Sequence, residues 1–125
     1  MIQAIGIDVV DLERFAAAVH RWGDRLLLKI LTPAEIAHCQ AKASSISSMA
    51  VRFAAKEAFI KCLSQEQYRF FTWQGVQVIN GEDGKPSLQL NGSLAESLAR
   101  NRFFLSLSHS AKTAVATVVM EILSS

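Results

Sequence analysis

The stretch RFAAKEAFIKCL, residues 52–63, is apolar on almost every side when wound as a helix. A helix of that kind must be packed from several directions at once, so it sets the centre of whatever this chain folds into. Four charged side chains nevertheless lie in it. At about 100° per residue, Arg52 and Lys56 share one stripe and Glu57 and Lys61 another, with Phe53 and Ile60 between them. Two readings of Glu57 and Lys61 stand side by side. One is an ordinary i,i+4 pair on a solvated face, worth about 0.3–0.5 kcal/mol. The other is a site, because a charge held against a low-dielectric wall must find a partner or change its pKa. A metal ion and a phosphate together would satisfy both groups.

The segments around this helix predict an α+β fold. IQAIGIDVV is short, apolar and β-branched, and reads as a buried strand over residues 2–9, interrupted by Asp8. A helical pattern starts at Asp11, with Trp22-Gly23 as its end or a bend. TPAE opens the next helix through a Thr32 cap, Pro33 in the first turn and a Glu35 capping box. SSISS, 44–48, reads as a loop ahead of the central helix. FTWQGVQVIN and SLQLN flank GEDGKP as two antiparallel strands around a turn. Ser93 and Glu96 suggest a second capping box on a short helix ending near Asn101. FFLSLS and TAVATVV then form a closing hairpin about HSAK.

At 125 residues the chain suits a single domain. Half of its residues are hydrophobic and only 19% are charged. That surplus of apolar residues implies surface buried against another subunit. A net charge of +2 is too small for a general nucleic-acid binder. The N-terminus lacks a basic leader pattern and no run approaches the roughly 20 apolar residues of a membrane span, which points to a cytoplasmic protein without membrane contact. Cys39 and Cys62 lack the spacing of a zinc site and read as reduced core thiols.

Beyond the central helix, Asp8 is costly inside a strand unless it caps the next helix or meets a metal, and both readings remain open. Gly6 before it would admit a closely approaching backbone or ligand. Asp8 and Glu57 together can offer two hard oxygens to Mg²⁺, with water and substrate phosphate completing its shell. Arg14, Ala18, Arg21 and Arg25 share one face if their helix continues past Gly23, either as a solvated basic face or as a dock for an acidic partner. His109 sits in the hydroxyl-rich turn SLSHSAK beside Lys112. A surface polar role is the commoner one for such a histidine, as it is for His20 and His38. No G-x-S-x-G, H-E-x-x-H, Walker or Rossmann pattern is found.

Taken together, IGIDVVDLERF, RFAAKEAFIKCL, GKPSLQL and LSLSHSAKTAVATVV, in this order and over nearly the whole length, resemble the holo-acyl-carrier-protein synthase family of small 4'-phosphopantetheinyl transferases. The resemblance implies the phosphopantetheinyl transferase fold, a small and mainly antiparallel sheet packed with helices, in a homotrimer whose active sites lie between subunits. It implies transfer of 4'-phosphopantetheine from coenzyme A to a serine of apo acyl carrier protein, releasing adenosine 3',5'-bisphosphate. Asp8 and Glu57 match the family's Mg²⁺ ligands, and Lys61 a lysine near the pyrophosphate. Arg52, Lys56 and the turn Ser108, His109 and Ser110 match segments lining the coenzyme A site, the turn near the 3'-phosphate. Arg14, Arg21 and Arg25 match the helix that meets the carrier's acidic recognition helix. In the reaction so implied, Glu57 is the candidate base and Lys61 assists departure of the bisphosphate. The chain departs from the family pattern where an F-G-T-G type of loop is replaced by CLSQEQYRFF, and at Gly75 in WQGVQV. The first departure suggests the alternative of an inactive homologue that only binds coenzyme A or a carrier protein.

Overall fold

A computed structural model describes residues 1–123. Strand β1 (Ile2–Asp11) leads into helix α1 (Leu12–Trp22), α2 (Asp24–Ile30), α3 (Pro33–Gln40) and the long α4 (Ser45–Cys62). The one-turn helix α5 (Gln65–Tyr68) and a 3-10 turn at Trp73–Gly75 follow. Strands β2 (Val76–Asn80) and β3 (Pro86–Leu90), helix α6 (Gly92–Ser97), and strands β4 (Asn101–His109) and β5 (Thr113–Ile122) complete the order. The α+β expectation holds. The strands form two antiparallel sheets, β1-β5-β4 and the hairpin β2-β3.

The central helix is packed on several sides, as its sequence requires. Ala50, Ala54, Ala55, Ala58 and Phe59 of α4 have no solvent exposure. Burying a side chain such as Phe59 is worth about 1.5–3 kcal/mol. One side of α4 lies on β1 and β5, and α1, α3 and β2 pack around the rest. Small residues let backbones approach here. A Cβ on Gly6 would overlap the carbonyl oxygen of Ala58, so β1 and α4 sit closer than any other residue would permit. The close approach expected at Gly6 is thus to backbone.

Pairing Gly6 with Val118, Asp8 with Ala116 and Val10 with Ala114 puts Gly6, Asp8 and Val10 on one face by the period-2 rule, toward α4. Ile5, Ile7 and Val9 point the other way and are 55–63% exposed. The strand is longer than 2–9, Asp8 does not interrupt it, and only one of its faces is buried.

Where Lys56 of α4 enters the core it is paired. Lys56 and Glu35 are both fully enclosed, with Nζ 2.7 Å from Oε1. Nζ also donates to the carbonyls of Ile30 and Trp73, each at 2.9 Å. Burial pulls the Lys56 ammonium below the ordinary lysine range, and the charge and hydrogen bond of Glu35 draw it back up. Glu35 accepts from Thr32 N through Oε1 and from Val78 N through Oε2. The capping box at Thr32 is therefore real, but its glutamate also reaches α4 and β2.

Several expectations are corrected. Ser45–Ser48 are the first turn of α4 rather than a loop, since the Ser44 carbonyl accepts from Ser48 N at 3.1 Å. Residues Trp73–Gly75 turn before the β2 strand starts. Helix α6 starts at Gly92 and ends at Ser97, so Ser93 is inside it and no side chain caps it. The helix from Asp11 ends at Trp22, because Gly23 takes φ 55° and ψ −137°. Both hairpins form, and both thiols are buried and free.

Two outcomes are expected from these contacts. Gly6→Ala forces α4 off β1 and lowers stability by about 2–3 kcal/mol in urea unfolding, within the range for overpacking a tight core. Lys56→Met leaves the Glu35 charge buried without its partner and costs about 3–5 kcal/mol by the same measurement, whereas Lys56→Met with Glu35→Gln costs clearly less.

Candidate functional site

Two clefts flank α4. The first, about 650 Å³, has Asp8 and Glu57 in its lining together with Arg14. Its apolar walls come from Phe15 and Ala18 on α1, Leu26 and Ile30 on α2, and Phe53 on α4. Strand β1 supplies Asp8 and α4 supplies Glu57, and the close approach at Gly6 brings the two elements together.

Lys61 pairs with Asp8 rather than with Glu57. Its Nζ lies 3.2 Å from Asp8 Oδ1 and 2.7 Å from the carbonyl of Ile7. The lysine side chain is 52% exposed and that of Asp8 only 18%, so the ammonium stands at the solvent edge of the carboxylate. Two of its three donors are used in this way. Burial raises the pKa of Glu57, Asp8 raises it further, and Lys61 lowers it in part. A cation beside these carboxylates would relieve their repulsion.

A divalent metal fits this donor set. Asp8 and Glu57 are hard oxygen donors drawn to one cleft, with the Asp8 charge disfavouring that of Glu57. Among the described residues no group of three or more His, Cys, Asp or Glu side chains is positioned for a metal. The chain would therefore hold the ion through two carboxylates and leave its other positions to water and phosphate, the usual arrangement for Mg²⁺.

The second cleft, about 490 Å³, is basic. Arg52 and Ser48 of α4, His38 and Lys42 at the α3 end, Asn80 of β2 and His109 of β4 line it. Arg52 is 5% exposed. Its Nη1 donates to the carbonyl and hydroxyl of Ser48, and its Nη2 to Asn80 Oδ1 at 2.8 Å. Its Nε is, among the described residues, the one buried side-chain polar atom without a hydrogen-bond partner. The pKa of His38 is lowered by burial and then by the charges of Arg52 and Lys42, a sign of the positive field in this cleft. An anion is what such a field attracts.

The sequence-predicted residues are distributed unevenly over these clefts. Asp8, Glu57 and Lys61 converge, and Arg52 and His109 meet in the second cleft. Ser108 and Ser110 are exposed at the strand end and turn, outside the second cleft's lining. Lys56 is a correction: enclosed and with all three donors spent on protein oxygens, it cannot line a coenzyme A site. Arg14 reaches the first cleft, and the Arg21 guanidinium lies 5.1 Å over the exposed ring of Trp22. Arg25 is on α2, beyond the break at Gly23, so the single basic face through 14, 21 and 25 does not form.

Sequence reasoning gave His38 only a surface role and did not single out Lys42 or Asn80, since no local pattern marks any of the three as part of a site. It also missed the wider reach of Glu35, whose helix-capping role already explained its presence. The segment 64–69 that replaces the expected loop is the capped turn α5, with Ser64 and Gln67 forming a capping box. The S-x-x-Q spacing in SQEQ carried that signal. At Gly75 an added Cβ would lie 2.8 Å from Thr72 Oγ1 and 3.3 Å from Leu94 Cδ2, so close packing accounts for the glycine.

Comparison with known proteins identifies the family of the chain. Residues 4–118 match the family model of the 4'-phosphopantetheinyl transferase superfamily. The chain is 44% identical over 124 residues to a holo-[acyl-carrier-protein] synthase of Geobacter sulfurreducens, covering 97% of this chain and 98% of that one. Among solved structures it is similar to the holo-[acyl-carrier-protein] synthase of Neisseria meningitidis, with a TM-score of 0.85 at 30% identity over 97% of this chain and 99% of that one. It is also similar to the synthase of Bacillus anthracis in complex with CoA (3',5'-ADP), with a TM-score of 0.78 at 31% identity over 98% of each chain.

Proposed function

The chain belongs to the 4'-phosphopantetheinyl transferase superfamily, and from that membership we propose how its own side chains carry the reaction. It transfers the 4'-phosphopantetheine group of coenzyme A to a serine of apo acyl carrier protein, giving holo acyl carrier protein and adenosine 3',5'-bisphosphate. The observation that supports the assignment of residues is the meeting of Asp8 and Glu57 in one cleft, with Lys61 paired to Asp8 and a basic cleft on the same helix.

Asp8 and Glu57 hold Mg²⁺, whose contribution when bound is to neutralise charge on the pyrophosphate. Glu57 takes the proton from the carrier's serine as its oxygen attacks the β-phosphorus. The bond from that phosphorus to the oxygen bridging it to the α-phosphate breaks, and adenosine 3',5'-bisphosphate leaves with the bonding pair. Lys61 stabilises the charge that develops on the leaving phosphate. Arg52 and His109, with His38 and Lys42 beside them, hold the 3'-phosphate end of coenzyme A. Ser108 and Ser110 flank that end from the exposed turn. Arg14, Arg21 and Arg25, although on two helices, face the acidic carrier and raise the rate and selectivity of encounter.

One domain does this work, in the cytoplasm, as a homotrimer with sites between subunits. The outer sheet face, with Ile5, Ile7, Val9 and Phe104 between 49% and 63% exposed, supports that assembly.

Two measurements test this reading. Incubated with coenzyme A, Mg²⁺ and apo carrier, the protein adds one phosphopantetheine mass to the carrier. Glu57→Gln lowers that rate by about 10²-fold or more if the glutamate acts as base and ligand. A folded protein that modifies none of several apo carriers would instead be the homologue that only binds. By sedimentation the wild type is a trimer and Ile5→Lys a folded monomer. A monomeric wild type would contradict the assembly.

A further inference from the structure

The Lys56–Glu35 pair touches neither cleft's reacting groups, yet its bonds end on walls of both. Ile30, whose carbonyl accepts from Lys56, lines the first cleft, as does Leu26 one turn earlier on α2. Trp73, whose carbonyl also accepts from Lys56, stacks on Phe53 of the same cleft with ring centroids 5.8 Å apart. On the other side, Glu35 lies on α3 with His38 and holds Val78 of β2, the strand that ends in Asn80. Asn80 in turn holds Arg52 in the second cleft. Asp8 and Glu57 are brought to the first cleft by a different contact, the approach of Gly6 to Ala58.

We infer that Lys56 and Glu35 are positioning residues: their buried pair sets the walls that receive coenzyme A and the carrier relative to α4, separately from the carboxylates that act on the bond. The inference rests on the transferase reading above. Walls displaced by a fraction of an ångström weaken the grip on substrates, while the reacting carboxylates keep their places.

The test compares the full chain as wild type, Glu35→Gln, and Lys56→Met with Glu35→Gln. Folding is followed by circular dichroism, and KM for each substrate and kcat per folded protein are measured. The inference expects KM for coenzyme A and for the carrier to rise about fivefold or more in the folded variants, with kcat within about twofold of wild type. A folded variant of either kind with wild-type KM values overturns it. So does loss of folding in both, which would make the pair a folding element only. A wild type that transfers nothing counts against the transferase reading instead.

Discussion

A lysine and a glutamate with no access to water organise the middle of this molecule. Enclosing two opposite charges is costly, and their attraction offsets that cost only when the remaining donors and acceptors are satisfied. Here all of them are. Lys56 spends its donors on Glu35, Ile30 and Trp73, and Glu35 accepts from Thr32 and Val78 as well. Two stretches far apart in sequence, 30–35 and 73–78, are thereby tied to α4, the first including the C-terminal end of α2, where a cation also meets the negative end of the helix dipole. Gln74 adds to the same end by donating to the carbonyls of Leu28 and Leu31. The apolar surface around these bonds excludes the water that would otherwise compete for them.

On the opposite side of α4 the constraint is steric. Gly6 allows the helix backbone onto β1, and the two-residue period of the strand then presents Asp8 to the helix. Glu57 and Lys61, one helical turn apart, arrive at that carboxylate from α4. Helix and strand together thus place two like charges and one opposite charge within a partly buried corner. An ordinary surface pair would have joined Glu57 to Lys61; here Lys61 leans on Asp8, and Glu57 keeps a raised affinity for a proton.

Much of this was legible in the sequence, and the failures have identifiable causes. TPAE announced its helix because a cap, a proline and a glutamate all favour the same local structure. GEDGKP and HSAK announced their turns for a similar reason. Ser93 misled because Asn91 and Gly92, with Gly92 at φ 60°, already start that helix. The arginine stripe failed at Gly23, whose backbone conformation breaks the helical period. Periodicity placed Lys56 with Arg52 but could not show that one ends in the core and the other in a basic cleft, since apolar residues surround both along the helix. That difference depends on Glu35, a partner 21 residues away along the chain.

Two kinds of contact thus surround one helix: a buried ion pair tied to α2, α3 and β2, and a close backbone approach that brings Asp8 and Glu57 to one cleft. The central claim is that Asp8 and Glu57 together hold a divalent metal alongside coenzyme A. Electron paramagnetic resonance of Mn²⁺, used in place of Mg²⁺, tests this most directly. The account predicts that the protein with coenzyme A removes Mn²⁺ from the free-ion signal, and that folded Asp8→Asn and Glu57→Gln each lose most of that capacity. Unchanged Mn²⁺ binding in both folded variants would contradict it.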